Sequence, residues 1–287
     1  MIAFVNNQFL EENNATLQVG DLAIQRGYGV FDFFRTSEGV PLFLDDYLDR
    51  FFNSVALMRL EPAQDREELT TIIHELIKKN GLASSGIKMI FTGGYSPESY
   101  EPVVPNLVIT QQKLQLISAD KFETGIKAIT HEYQRDLPEI KSINYLMGVW
   151  LQQKVREQQA EDILYYKQGI VSEFPRSNVF MVTHDEKIVT PSDNILHGIT
   201  RKLLLELAAT KYTVEIRNID VGEIKTAAEV FMTSTTRRLL PIRQLDDTII
   251  GNGKAGRITG LLNEAFIEME GRYLQTKKDE SRHFSAQ

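Results

Sequence analysis

One lysine, one acid and two candidate anion cradles are the features of this chain whose residue types and settings could do chemistry. Lys141 lies in "DLPEIKSINYL", flanked by Ile140 and Ile143, between a strand-like run, "GIKAITHEYQ", and a helix-like run, "NYLMGVWLQQKVREQQA". Most lysines are solvated, and alone this one reads as a surface lysine at a helix entrance. Glu173 in "IVSEFPRSN" closes a strand otherwise built of Ile, Val and Phe, a costly place for an unpaired carboxylate. It asks for a cationic partner, and a protonated ring nitrogen would serve. "HGIT" (His197 to Thr200) runs straight into a helix, and the first N–H groups of a helix, helped by its dipole, bind phosphate. "TSTT" (Thr233 to Thr236) clusters hydroxyls after a strand. In isolation each is a cap or a turn. Arg50 lies off the apolar stripe of its helix, by default a solvated position. A lysine able to form a Schiff base, an isolated acid and phosphate cradles are together what pyridoxal phosphate (PLP) requires. "GNGKAG" (Gly251 to Gly256) matches GxGxxG, but it joins a short strand to the last helix and no parallel strand follows, so it reads as a turn.

The elements that must position these residues follow from periodicity. "VFDFFRT" and "VPLFL" around "SEG" read as a β-hairpin. In "DDYLDRFFNSVALMRL" the residues Leu48, Phe51, Phe52, Val55 and Met58 fall at helical spacing. "REELTTIIHELIKKNG" repeats this with Leu69, Ile72, Ile73, Leu76 and Ile77, and Gly81 stands where a C-terminal cap belongs. Two strands follow, "IKMIFTGG" and "NLVITQQKL", and then the polar, aperiodic "QLISADKFETG". A boundary there gives a small domain over 1–118 and a larger one over 119–287. The larger domain is rich in short strands, "DILYY", "IVSEF", "SNVFMVT", "KIVTP", "YTVEIRNI", "EVFMTST" and "LLPIRQL". It also holds helices after Lys141, at "RKLLLELAATK" and at "ITGLLNEAFIEMEGRYL". Residues 273–287 are polar and are expected to form a frayed tail. Strands and helices do not alternate as in a parallel βαβ protein, so the class is α+β.

Composition removes other functions. A length of 287 residues suits two domains. Net charge is −7, and the basic pairs Lys78–Lys79, Arg237–Arg238 and Lys277–Lys278 are scattered, which argues against nucleic acid. The absence of cysteine removes disulfides, thiolate catalysis and cysteine metal sites. The five histidines show no ligand spacing, so no metal is expected. The N-terminus lacks the basic and apolar regions of a signal peptide, and no apolar run reaches the length of a membrane span. The expectation is a soluble cytoplasmic protein.

The stretch Glu173 to Lys202 resembles the signature of the class IV, fold-type IV PLP aminotransferases: Glu, four residues, Asn, an aliphatic and an aromatic residue, then Thr, then Gly-aliphatic-x-basic. Glu173, Asn178, Val179, Phe180, Thr190, Gly198, Ile199 and Arg201 fit it. "EIKSINYL" resembles the segment of the family's PLP lysine, which falls on Lys141. "LDDYLDRFFNSV" resembles the His-x-x-Arg helix whose arginine grips the phosphate, here Arg50, with Tyr47 in place of His. "RGYGVFD" resembles the pocket-lining segment ending Val-Phe/Tyr-Glu, which puts Phe31 at the substrate and Asp32 in place of Glu. "VFMTSTT" resembles the segment that gives a phosphate-binding threonine, Thr235, and pocket amides at Thr235 and Thr236. The family implies a small N-terminal α/β sandwich domain, a larger domain with a β-barrel-like core, PLP between them, and a homodimer whose neighbouring subunit completes the site.

The resemblance also implies roles. Lys141 holds PLP as a Schiff base and then moves the substrate's Cα proton. Glu173 keeps the ring nitrogen protonated, and Tyr145 bonds the ring oxygen as in branched-chain members. Arg50, the Ile199 and Thr200 amides, and Thr235 hold the phosphate, and Asn178 belongs to the cofactor site. Two positions depart from the family. Arg26 stands at a Tyr or Phe position that reaches the neighbouring subunit's pocket, and Arg176 replaces a small residue near Glu173, beside Pro175. Either both are exposed surface residues, or they clamp a substrate carboxylate in bidentate fashion. "TGGYSPESYEPVVPN" aligns with a loop where typical D-amino-acid enzymes carry an Arg-x-His trap, and holds neither residue. These features resemble an atypical D-amino-acid transaminase subgroup, acting on D-alanine or D-glutamate with 2-oxoglutarate. Tyr145 favours a branched-chain L-amino-acid aminotransferase, and an aminodeoxychorismate lyase has no positive marker. A PLP-fold protein without catalysis would have lost Lys141 or Glu173, and both are present.

Overall fold

The structure, a computed structural model, describes residues 1–285. The chain forms two units. One comprises Met1–Gln115, Ile140–Asn144 and Arg272–Gln287, the other Leu116–Glu139 and Tyr145–Gly271. A single boundary near residue 118 therefore misplaces two segments, the five residues around Lys141 and the end of the chain.

The first unit holds β1 (Ile2–Val5), β2 (Gln8–Glu11), α1 (Leu22–Arg26), β3 (Gly29–Ser37), β4 (Val40–Pro41), α2 (Leu44–Leu57), α3 (Arg66–Asn80), β5 (Ser84–Thr92) and β6 (Leu107–Lys113). The strands form one antiparallel sheet in the order β2-β1-β6-β5-β3-β4. Glu38 and Gly39 turn the β3–β4 hairpin with φ of 50° and 77°, the mirror-image turn that suits the twist of paired strands. Asp65 and Glu68 close a capping box on α3, and Gly81 ends that helix at φ 61°. Leu48, Phe51 and Val55 of α2 and Leu69, Ile73 and Leu76 of α3 are buried, as their spacing predicts.

β4 is short and pairs with β3 only at Thr36 and Ser37, which leaves the edge of β3 at Gly29–Phe31 to another partner. The segment around Lys141 takes it. Phe31 N–H donates to the Lys141 carbonyl (2.9 Å), Ile143 N–H to the Gly29 carbonyl (3.0 Å), and Val30 bridges Ser142. These bonds are why a segment from the middle of the chain belongs to the first unit.

The second unit holds α4 (Ala119–Thr124), β7 (Ile126–Glu132), α5 (Leu146–Trp150), α6 (Gln152–Glu157), β8 (Asp162–Lys167), β9 (Ile170–Val171), β10 (Asn178–Val182), β11 (Ile188–Thr190), α7 (Ile199–Ala208), β12 (Val214–Ile216), α8 (Val221–Lys225), β13 (Glu229–Ser234), β14 (Arg238–Leu245), β15 (Thr248–Ile249) and the first half of α9 (Arg257–Ser285). Its strands form a mixed, curled half-barrel, β12-β11-β10-β13-β14-β7-β8-β9, with β15 on β14. Phe174, Val179, Met181, Val230, Met232, Leu240 and Ile242 are among its core. Three expectations change. The helix after Lys141 is two pieces that meet at Leu151. The "IVSEF" strand ends at Val171, although the Glu173 carbonyl still accepts from Tyr165 N–H (2.9 Å). The expected tail is helical through Ser285, and residues 286–287 lie outside the described ones. Among the described residues no helix is long and apolar enough to cross a membrane, and no group of three or more His, Asp and Glu is arranged to hold a metal.

"GNGKAG" serves the start of α9. Gly251 and Gly253 turn at φ 53° and 78°, and a Cβ at Gly256 would lie 1.9 Å from Glu229 Cδ. Glu229 accepts from Ile258 N–H (2.9 Å), Thr259 N–H (2.8 Å) and the Thr259 hydroxyl (2.7 Å), an N-terminal cap supplied by a distant strand. Glu229→Ala is expected to lower stability by about 1–2 kcal/mol in urea unfolding.

A second carboxylate links stability to pH. Asp246 accepts from Thr130 N–H (2.7 Å) and the Thr130 hydroxyl (2.9 Å) and pairs with Lys225 (2.8 Å). Burial opposes its ionisation, but the Lys225 ammonium and the two Thr130 donors outweigh burial and hold the carboxyl below its ordinary value. Its contribution is complete above the unfolded-state pKa of about 4 and disappears as pH falls through the lower folded value. Asp246→Asn tolerates the backbone φ of 52°. The variant is expected to be less stable than the parent at pH 7, with the gap closing on acidification in a series of urea titrations.

Candidate active site

In the first unit, three of the predicted residues come together around β3 and α2. Lys141 is half-buried. Its N–H donates to Ser54 Oγ (3.2 Å), its carbonyl accepts from Phe31, and its Nζ stands 4.7 Å from the centroid of the Phe31 ring. Ser54 lies one helical turn beyond Arg50 on α2, so one helix face serves both residues. Arg50 makes a bidentate pair with the fully buried Asp32, Nε to Oδ2 at 2.9 Å and Nη2 to Oδ1 at 2.6 Å. Its guanidinium carbon lies 5.2 Å from the Tyr47 ring centroid, which gives the tyrosine at the family's histidine position a packing role. The solvated setting that the helix pattern gives Arg50 is therefore wrong: its side chain is only 9% exposed. Arg26 ends α1, is exposed, and donates from Nη1 to the Gln25 carbonyl (2.8 Å).

In the second unit the acid is held from two sides. Arg135 Nη1 donates to Glu173 Oε1 (3.0 Å) and to the Pro138 carbonyl (3.2 Å), and Leu196 N–H donates to Glu173 Oε2 (2.9 Å). Both side chains of this ion pair are buried. Asn178 Nδ2 donates to the Leu196 carbonyl (2.7 Å), so it aims the loop that holds Glu173. That loop leads through Gly198 into α7. A Cβ at Gly198 would sit 2.2 Å from Asn178 Oδ1, so only glycine fits. No side chain caps α7, whose first residues Ile199 and Thr200 are buried. Arg201 donates to the Pro191 carbonyl (2.9 Å) and Thr190 Oγ1 (3.3 Å), and burial lowers its basicity. Asn178 pairs across the sheet with Thr233, and Thr235 and Thr236 form the turn between β13 and β14. Arg176 is exposed on the turn closed by Phe174 and Ser177. Tyr145 precedes α5 and is half-buried.

The donor set suits PLP. An uncapped helix start would offer N–H groups to a phosphate, and Glu173, held by Arg135 and the Leu196 N–H, would suit a ring nitrogen. The buried hydroxyls of Ser177 and Thr233, beside and opposite Asn178, have no hydrogen-bond partner among the described residues. Buried polar atoms of that kind ask for a ligand or water. Sequence reasoning missed Asp32 as the partner of Arg50, and Arg135 altogether. The only advance signal for Arg135 was the need of a buried Glu173 for a cation.

The class follows from fold and residues together. Residues 29–245 match the family model for class IV amino-transferases, and the chain belongs to that family. It is a PLP-dependent aminotransferase whose substrates are amino and 2-oxo acids. Among its curated relatives is the D-alanine aminotransferase of Staphylococcus haemolyticus, 28% identical over 269 residues, which span 92% of this chain and 95% of that protein. That of Listeria monocytogenes is 29% identical over 279 residues, 93% of this chain and 96% of the relative. Among solved structures, the branched-chain amino acid aminotransferase of Escherichia coli superposes with a TM-score of 0.87 at 24% identity over 93% of each chain. A hypothetical aminotransferase from Mycobacterium tuberculosis, in its PLP-bound form, gives 0.81 at 21% identity, over 92% of this chain and 97% of that one. These likenesses define the fold.

Proposed function

We propose that the chain is a D-amino-acid transaminase that moves an amino group between D-alanine or D-glutamate and 2-oxoglutarate. The observation that carries this reading is the match to D-alanine aminotransferases along 92–93% of the chain. Arg26 and Arg176 supply the carboxylate grip that the 92–106 loop lacks. Tyr145 favours a second reading, a branched-chain L-amino-acid aminotransferase.

PLP, when bound, supplies an electron sink that acidifies the substrate's Cα–H. In the proposed scheme Lys141 Nζ carries the cofactor and then, uncharged, takes up the Cα proton. The Phe31 ring face beside Nζ stabilises the ammonium that results. Glu173, aimed by Arg135 and the Leu196 N–H, holds a proton on the ring nitrogen. On the first unit Arg50, its guanidinium plane fixed by Asp32, is the proposed phosphate ligand, and on the second the proposed phosphate ligands are the Ile199 and Thr200 amides and Thr235. A homodimer is part of the proposal, and the exposed Leu146, Val149 and Trp150 on α5 support it, since such patches mark protein contacts. Light scattering of the holoenzyme should give twice the chain mass.

Release of the 2-oxo acid from D-glutamate, D-alanine, L-leucine and L-isoleucine tests the reading. Turnover of the D-substrates is expected; turnover of L-leucine alone would overturn it, and pyruvate release from aminodeoxychorismate would indicate the lyase. Arg176→Ala is expected to raise KM for D-glutamate by roughly tenfold or more, the effect of losing a charged hydrogen bond.

A further inference from the structure

Asp21 is fully buried and has none of the roles proposed for Arg26, Lys141 or Glu173. Its Oδ1 accepts from Ala23 N–H (2.7 Å) and caps α1, the helix that ends in Arg26. Its Oδ2 accepts from the Thr92 hydroxyl (2.7 Å) and from Asn106 Nδ2 (2.7 Å). Thr92 ends β5 and Asn106 stands immediately before β6, so these are the two roots of the 93–105 loop. Further bonds tighten the joint. Leu22 N–H donates to the Gly94 carbonyl (3.0 Å), Gly94 N–H to Thr92 Oγ1 (3.2 Å), and Asn6 Nδ2 to Asn106 Oδ1 (2.6 Å). Inside the loop, Val103 N–H donates to the Gly93 carbonyl (2.9 Å). At Gly94 a Cβ would lie 2.1 Å from the Val104 carbonyl oxygen, so the loop closes tightly on its own base.

A neutral Ser or Thr would cap α1 without burying a charge. Only an acceptor with two oxygens takes three donors at once, and an asparagine would turn its own donors on Asn106 or Thr92. The far ends of both joined elements are exposed: Arg26 on α1, and Tyr100 on the loop.

We propose that Asp21 is a positioning residue for substrate recognition, which locks the Arg26 helix to both roots of the 93–105 loop so that the two act as one body. This rests on the reading that Arg26 grips the substrate carboxylate. The test is Asp21→Asn in the full-length holoenzyme. Hydrogen exchange is expected to rise together in peptides covering 22–27 and 93–105, with α3 unchanged. KM for D-glutamate is expected to rise roughly tenfold, the loss of one charged hydrogen bond, with kcat and the cofactor absorption band unchanged. Combined with Arg26→Ala, the two KM effects should not multiply. Faster exchange in α1 alone, equal losses in kcat and KM, or multiplying effects would overturn the proposal. An Arg26→Ala variant with unchanged KM would sink the carboxylate grip and the recognition role with it, while the exchange data would still decide the mechanical coupling. If Asp21→Asn does not fold, Thr92→Val removes one root bond, and the same paired exchange response is expected.

Discussion

Lys141→Ala is expected to fold normally and to lose transamination by at least about four orders of magnitude, since in the proposed scheme both covalent attachment and proton transfer depend on its amine. The two halves of this expectation have separate causes. The segment is held through its backbone, to Phe31, Gly29 and Ser54, so truncating the side chain leaves those bonds in place. The melting temperature of the apoprotein should therefore stay within a few degrees of the parent. The chemistry should vanish: borohydride should fix the cofactor to the Lys141 peptide of the parent, detected by mass, and to no peptide of the variant. Methylamine should restore part of the rate, because a free amine can stand in for the proton carrier. An unchanged oxo-acid yield would remove Lys141 from the reaction.

Arg135→Met should destabilise the second unit by about 3–5 kcal/mol, the usual effect of stranding one member of a buried ion pair. Glu173 would keep the Leu196 N–H and lose the guanidinium that faces its other oxygen. Pairing the change with Glu173→Gln removes the stranded charge, and most of the stability should return in urea unfolding at pH 7. Activity should not return with it, since a neutral amide cannot hold a proton on the ring nitrogen. This double variant separates the structural use of the pair from its chemical use. Single and double variants of equal stability would show that Arg135 carries no such load.

What could be read from the sequence was local. The β3–β4 turn, the Gly81 cap, the helical spacing in α2 and α3 and the helix start after Gly198 each depend on a few adjacent residues. Pairs between distant elements were not legible, because no spacing rule links Asp32 to Arg50, Arg135 to Glu173 or Asp21 to Asn106. The second half of α9 reads as a frayed tail because its composition is polar. It holds together through pairs one turn apart, Gln275 with Asp279 (2.9 Å) and Lys277 with Glu280 (3.0 Å). The Tyr273 ring also packs 4.4 Å from that of Phe43. The lysine is visible in the sequence, but its allegiance is not: nothing between Asp136 and Leu146 states that the edge of a strand made far earlier in the chain needs it.

That allegiance has a consequence for assembly during synthesis. All the strands of the first sheet precede Lys141 in the chain, so a chain made only that far would lack the partner of the Gly29–Phe31 edge and leave unmatched N–H and C=O groups there, the feature that invites stray pairing between chains. A split protein comprising residues 1–115 should accordingly be prone to self-association, and a synthetic peptide spanning 136–146 should bind it as an added strand and suppress that tendency. The backbone of Lys141, the residue proposed to carry the cofactor, would then double as the closing stitch of the nascent sheet.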